Sequence, residues 1–437
     1  MSTEIKSTEI NVLDLPVQIS AAALRNTAFV GYDKDTGEPI SFDSQKFLRA
    51  EYKDLSMYDI YGASLLGRST ANCYVVRTAG AYRFPLVYGN ALKGGNANVV
   101  AYDGFVNHLG NAITSPFIEA NANCMPASAE ICWMDQADLL VNLEIVEGGD
   151  CKYIQFEVNN VPITGANAQV AVKDASGNIM WSWQIWVTSE DLTPVQIIND
   201  TPKVYEILPV NLGWTWDSSD RLRGKNPHYQ WGRKDPFVPP STYNSGSNKT
   251  TYGQRSFTTE NSETAATTIA DSIKRPFSFF FGTSNNSYTW EPSGRLDLWC
   301  AGNKSTEVSD CVVVKTIYDP CPVGFSVPNA RIYTGFTAGG GNTSDPTLFN
   351  VVGSFTAGWF FKRNSEDTVG TFFPASGYRF RGGGGLADVG GYGGYWCAIP
   401  DSTASGRHLD FDSGNVYPQN ANFRAYGFSV RPARELN

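Results

Sequence analysis

Gln169-Val170-Ala171-Val172-Lys173, then Asp174-Ala175-Ser176-Gly177, then Asn178-Ile179-Met180-Trp181-Ser182-Trp183-Gln184-Ile185-Trp186-Val187 is the stretch that decides the fold. Two apolar-rich runs flank a four-residue turn in which Asp and Gly supply the required backbone conformations, the signature of a β-hairpin. Period-two alternation puts Trp181, Trp183, Ile185 and Val187 on one face. Two tryptophans at that spacing can form a sugar-stacking platform, but each carries so much apolar area that a core stripe is the expectation. Just upstream, Lys152-Tyr153-Ile154-Gln155-Phe156-Glu157-Val158 alternates too, with Ile154, Phe156 and Val158 opposite Gln155 and Glu157. Residues 51–205 therefore read as an antiparallel β-sandwich.

The whole composition leans the same way. Of 437 residues, 42% are apolar and 13% aromatic, against 18% charged, which describes a folded, β-leaning chain long enough for two or three domains. A formal charge of −9 leaves no large basic surface for a phosphate backbone or anionic lipid, so nucleic-acid binding and membrane association are not expected. No apolar run approaches the roughly 18 to 20 residues that span a bilayer. Glu4 and Glu9 sit where a secretory signal would need a basic end and an apolar stretch, so the expectation is a protein made without export.

The eight cysteines show no CxxC pair and no histidine at metal-ligand spacing. Buried thiols are the expectation, with Cys311 and Cys321 the pair to test first for a disulfide. His108, His228 and His408 are too few and scattered for a metal cluster, and no cofactor is implied. Alternation along Arg407-His408-Leu409-Asp410-Phe411-Asp412 groups His408, Asp410 and Asp412, which read as a solvated strand face rather than a proton-transfer or calcium constellation. There is no nucleophile elbow, and the run Gly382 to Gly385 lacks the lysine and strand-turn-helix setting of a phosphate loop.

Residues 1–50 carry a turn, Gly31 to Pro39, between short extended pieces and read as an attachment or oligomerisation segment. Turn punctuation at Asp191-Leu192-Thr193-Pro194 and Asn199-Asp200-Thr201-Pro202 places a domain boundary between 188 and 205. Short helices are expected near 44–58 and 260–274.

Past residue 205 the residues become specific. Tyr229-Gln230-Trp231-Gly232-Arg233-Lys234-Asp235-Pro236-Phe237, Asp319-Pro320-Cys321-Pro322-Val323-Gly324-Phe325-Ser326-Val327-Pro328, Gly377-Tyr378-Arg379, Gly394-Tyr395-Trp396 and Gly427-Phe428-Ser429-Val430-Arg431 occur in that order. The series closely resembles the FISUMP domain, the Fibrobacter major paralogous domain common in surface proteins of gut Bacteroidales, over about 206–436. That resemblance implies a C-type-lectin-like α+β domain over 206–437, with the closing Gly427 to Arg431 strand pairing near the domain's start. Asn72-Cys73-Tyr74-Val75-Val76, Tyr82 to Asn90 and Trp181 to Trp186 resemble, more loosely, Bacteroidales fimbrial or adhesin modules. Phe29 to Asp33 with Ile40 to Phe42 is similar to the virion-proximal segments of phage fibres.

The overall expectation is a mainly β chain with some α, built as a β-sandwich domain followed by the lectin-like domain, and non-enzymatic. Its expected role is that of a bacteriophage fibre or receptor-binding subunit of head or tail, located in the virion. It would be joined to other virion proteins through residues 1–50, trimeric, and bound to a host-surface glycan or protein. A bacterial fimbrial or cell-surface adhesin and a virion glycan depolymerase are the alternatives. Tyr392, Trp396, His408, Asn415, Tyr417, Asn420, Asn422 and Arg424 are the candidate ligand-binding residues, because amides, tyrosines and arginines in C-terminal loops supply hydrogen bonds and stacking surface at modest ordering cost.

Overall fold

The computed structural model describes residues 30–32, 39–41, 52–217, 220–261, 268–282, 289–363 and 366–436. It is 39% strand and 6% helix, so the chain is mainly β with some α. Two compact units are present, Met1–Lys53 and Asp54–Asn437. In the first, Val30–Tyr32 pairs antiparallel with Pro39–Ser41, the two extended pieces expected around that turn. The rest of the attachment segment, and the start of the helix expected near 44–58, lie outside the described residues; within 52–58 there is a single short turn, Leu55–Met57, capped by the Asp54 carboxylate.

The hairpin that opened the sequence reading lies at the centre of the second unit. Ala166–Lys173 and Ile179–Val187 pair with Val170 opposite Trp183 and Val172 opposite Trp181. The Asp174 carboxylate accepts the Ser176 and Asn178 amides at 2.9 Å each, and Gly177 takes φ +84°, a conformation glycine adopts without steric penalty. Ser128–Met134 and Cys73–Val76 extend the sheet on either side, the latter parallel to Ile179–Val187. Gly80–Pro85, Lys152–Val158 and Leu140–Glu147 pair antiparallel in a second sheet. Phe84 joins the two sheets, stacked on Tyr74 at 4.6 Å and 5.1 Å from Trp183. Trp181 and Trp183 are buried and form the core stripe, not a sugar platform.

All nine residues of Ile179–Val187 are buried. Its other face, which carries Ser182 and Gln184, meets the C-terminal half of the chain. Ser182 Oγ donates to Asp235 at 2.7 Å, Tyr229 donates to Gln184 Oε1 at 2.6 Å, and Asn167 donates to the Gly213 carbonyl at 2.8 Å. Asn72 and Asn90 reach across in the same way and donate to the carbonyls of Thr316, Ile317 and Asp319. Buried polar groups must be paired, and here each half supplies the other's partners. The boundary expected near 205 therefore runs through a shared core, and the second of its turns, Asn199 to Pro202, closes a hairpin between Val195–Ile198 and Val204–Ile207.

It follows that residues 206–437 expressed alone should not fold cooperatively, since Tyr229 would lose Gln184, and the buried Lys234–Asp235 pair would lose Ser182 and Gln169. A sharp two-state thermal transition of that fragment would overturn the single-unit description.

Within the C-terminal half, Tyr229–Gln230 pairs with Gly427–Phe428, the closure near the start that the resemblance implied. Ala433–Arg434 then joins Val204–Ile207 and Phe325–Ser326 in one sheet. A helix, Ile269–Lys274, lies within the expected stretch and opens on a capping box of Thr268 and Asp271, which satisfies amides that the first turn leaves unpaired; residues 258–261 are strand instead.

Four arginines, Arg233, Arg379, Arg424 and Arg431, are essentially fully buried. Arg379 donates to the carbonyls of Gly384 and Val238 and to Asn248, with its guanidinium 4.2 Å from the Phe257 ring. Arg431 donates to the carbonyls of Leu208 and Phe372 and lies 4.2 Å from the Phe373 ring. Planar guanidinium groups suit this double task of stacking and forked donation. Arg233, Arg379 and Arg431 all come from the ordered motifs, so those motif positions hold loops to the core.

Candidate ligand-binding face

Gly393–Pro400, Ser405–Phe411 and Val416–Phe423 form an antiparallel sheet in which Trp396, His408 and Asn420 are in register. The eight candidate binding residues separate here into groups with different roles. Trp396 is fully buried and donates from its indole to the Tyr229 carbonyl at 2.7 Å. Arg424 is fully buried, donates to the carbonyls of Arg295 and Ser402, and stacks 4.1 Å from the Trp231 ring. Both hold the fold and are corrected from ligand contacts to core residues. A polar side chain in a C-terminal loop looks solvated from sequence unless the distant ring that covers it is known.

His408 requires the same correction. It is 0% exposed and stacks on Phe428 at 4.7 Å, while Asp410 is 7% exposed. The face expected to be solvated is covered by the closing strand. Asp410 Oδ2 accepts from the Tyr392 hydroxyl at 2.9 Å and from Asn420 at 2.8 Å, with His408 Nε2 3.3 Å away. Burial first, and then the Asp410 charge, push the Tyr392 pKa well above its ordinary value, so its hydroxyl stays a donor. Asp412 belongs to the next turn, where it accepts the Gly414 amide and both Asn415 amide contacts.

Asn415 and Tyr417 form a second group. Asn415 Oδ1 accepts from Ser344 at 2.7 Å and from Tyr417 at 2.9 Å, tying the loop before residue 345 to the outer strand. Asn422 is half-buried at the end of that strand, with its Oδ1 3.0 Å from the Phe423 amide.

The sequence reading missed an adjoining row of rings. Phe380 is 43% exposed and meets Tyr426 edge-on at 5.9 Å. Tyr426 contacts Tyr378 at 5.6 Å, and Tyr378 contacts Tyr392 at 5.2 Å. Arg381 donates to the Tyr426 hydroxyl at 2.8 Å and lies 5.4 Å from the Phe380 ring and 5.1 Å from the Phe423 ring. The row thus runs from an exposed phenylalanine to the Asp410–Asn420 group. The available signal was an aromatic-cationic pair, Phe380-Arg381, directly before a glycine run, but a phenylalanine in a β-rich chain reads first as core.

All eight cysteines are free thiols, seven of them buried; Cys311 and Cys321, the pair first in line for a disulfide, are unbridged. Burial drives the Cys321 and Cys397 pKa values far above the ordinary thiol range and Cys300 to about 11, which keeps them protonated and unreactive. Among the described residues, no group of three or more His, Cys, Asp or Glu is placed to hold a metal ion, and no helix is long and apolar enough to cross a membrane. The depression beside Leu55, Tyr58, Ile60, Tyr74 and Pro322 offers about 20 Å³, room for roughly one water molecule.

No curated protein and no solved structure matches the chain. Residues 355–433, which contain the row of rings, the three-stranded sheet and three of the four buried arginines, match the model of a family described as a domain of unknown function, DUF8237.

Proposed function

We propose that this chain is a structural protein of a bacteriophage virion, a fibre or receptor-binding subunit that holds the particle to the host surface. The observation that carries the reading is the exposed Phe380 ring, braced from beneath by buried Tyr426 and half-buried Tyr378, which lead inward through Tyr392 to Asp410 and Asn420. Aromatic rings with polar neighbours on a rigid base are the usual material of recognition surfaces. The resemblance of residues 206–436 to a domain of bacterial surface proteins supports the same role, as does that of residues 29–42 to fibre attachment segments. Eight unbridged thiols fit a chain that folds in a reducing compartment, as phage proteins do inside the host, better than an exported adhesin. Three copies on one support would turn a modest single site into firm attachment through avidity.

The test is saturable binding of the fluorescently labelled full chain to a panel of gut Bacteroidales strains, read by flow cytometry. Binding to a subset of strains, competed by unlabelled chain, is the expected result. Uniform absence of saturable binding by correctly folded protein would sink the receptor role. Release of reducing sugar from capsule would assign the chain to the depolymerases instead.

A further inference from the structure

We infer that the surface around Phe380 and Arg381, backed by the buried Tyr426 ring, is a carbohydrate-binding site, with Phe380 the ring on which a sugar stacks. This rests on the attachment reading and specifies the chemistry of what is attached.

Phe380 is displayed, not loosely exposed. Its amide donates to the Gly385 carbonyl and its carbonyl accepts the Gly384 amide, both at 2.8 Å. From inside, Arg379 holds the Gly384 carbonyl at 2.7 Å. Gly384 has φ +71°, and a Cβ there would lie 2.9 Å from the Phe279 ring, so the loop admits glycine alone without distortion. A ring held out on so closed a loop loses little conformational entropy when a ligand covers it, which is the condition for a pre-organised contact.

The surroundings select the ligand class. A pyranose has an apolar C–H face and a rim of hydroxyls, so it needs an exposed aromatic face beside planar amide, carboxylate or guanidinium groups. Phe380 supplies the face, Arg381 lies beside it, and the Tyr378–Tyr392 contact leads to Asp410 and Asn420. A phosphate-rich or anionic lipid partner would need a cluster of cations, whereas Arg381 is the cation beside Phe380 in a chain of net charge −9.

The experiment is native affinity electrophoresis of the full chain through gels containing purified polysaccharides: capsular polysaccharide and lipopolysaccharide from strains that bind the chain, and yeast mannan and barley β-glucan as general probes. Native chain, Phe380→Ala, Phe380→Tyr and Asn420→Ala are run side by side, with near-ultraviolet circular dichroism confirming the fold of each. The expected result is retardation by at least one polysaccharide, weakened at least tenfold by Phe380→Ala, kept by Phe380→Tyr and weakened by Asn420→Ala. No retardation in any gel, or equal retardation of Phe380→Ala and native chain, overturns the inference. Saturable binding to cells that survives both Phe380→Ala and excess polysaccharide would also overturn it while leaving the attachment role in place, the receptor then being a protein. Retardation without cell binding would leave the sugar site in place and remove the attachment role.

Discussion

Arg424→Ala is expected to lower the stability of the folded chain by about 3 kcal/mol, measured as a shift of the denaturant midpoint at constant slope. Three effects compete. Burial is the main reason that Arg424's pKa falls to about 10 from 12.5, with Glu291 and Asp297 acting against it, so alanine recovers the roughly 3 kcal/mol spent on keeping that guanidinium charged inside the protein. Against this, the two hydrogen bonds to the Arg295 and Ser402 carbonyls are charge-assisted and together contribute about 3 to 5 kcal/mol. Removing a side chain that lies 4.1 Å from the Trp231 ring also leaves a cavity worth about 2 to 4 kcal/mol. The losses exceed the gain. Arg424→Lys, which keeps the charge and most of the stem, should fall between the two. A midpoint that hardly moves would return Arg424 to the ligand-contact role that its sequence position suggested.

The contrast between Arg424 and the opening hairpin shows what local sequence can and cannot display. The hairpin was legible because its two signals, period-two alternation and an Asp-to-Gly turn, depend only on neighbours along the chain. Alternation also grouped His408 with Asp410 correctly. What it could not give was the solvent status of a polar face. Ser182, Gln184, His408 and Asp410 have the composition of solvated positions, and each is covered by residues far away in sequence, Asp235 and Tyr229 for the first two and Phe428 and Tyr392 for the others. The domain boundary failed for the same reason, since turn punctuation marks a reversal of the chain whether or not the core continues across it. Phe380 is the opposite case, an apolar side chain in the open, and only the loop closure by Gly384 and Gly385 reveals why it stays there.

Lowering the pH from 7 to 4 should widen the stability difference between the native chain and Asp319→Asn by about 2 kcal/mol in favour of the native chain. Asp319 is 0% exposed in the Asp319-Pro320-Cys321-Pro322 motif, where its carboxylate accepts the Cys321 and Val327 amides at 2.8 and 2.9 Å. Loss of water around the charge is the largest influence and outweighs Lys315, 3.9 Å away, and the pKa is pushed up to about 6 from 3.8. A raised pKa means that the folded chain takes up a proton between those values while the unfolded chain does not. The resulting stability is fully present below about pH 4 and is lost as the pH rises through 6. The amide variant has no such proton to bind, so only the native chain should show the slope.

His228 works in the other direction. Burial, helped by Arg379, lowers its pKa to about 3 from 6.5, so its contribution is present above 6.5 and is lost on acidification through 3. Between pH 4 and 6 the two slopes oppose each other, which hides the Asp319 effect in the native curve taken alone. Comparison with Asp319→Asn removes His228, because both proteins carry it. Urea unfolding at pH 4, 5, 6 and 7 reads the difference directly. A gap that stays constant or narrows on acidification would mean that Asp319 is ionised in the folded chain throughout, held so by Lys315, and that the motif is braced by an ion pair instead of a buried acid.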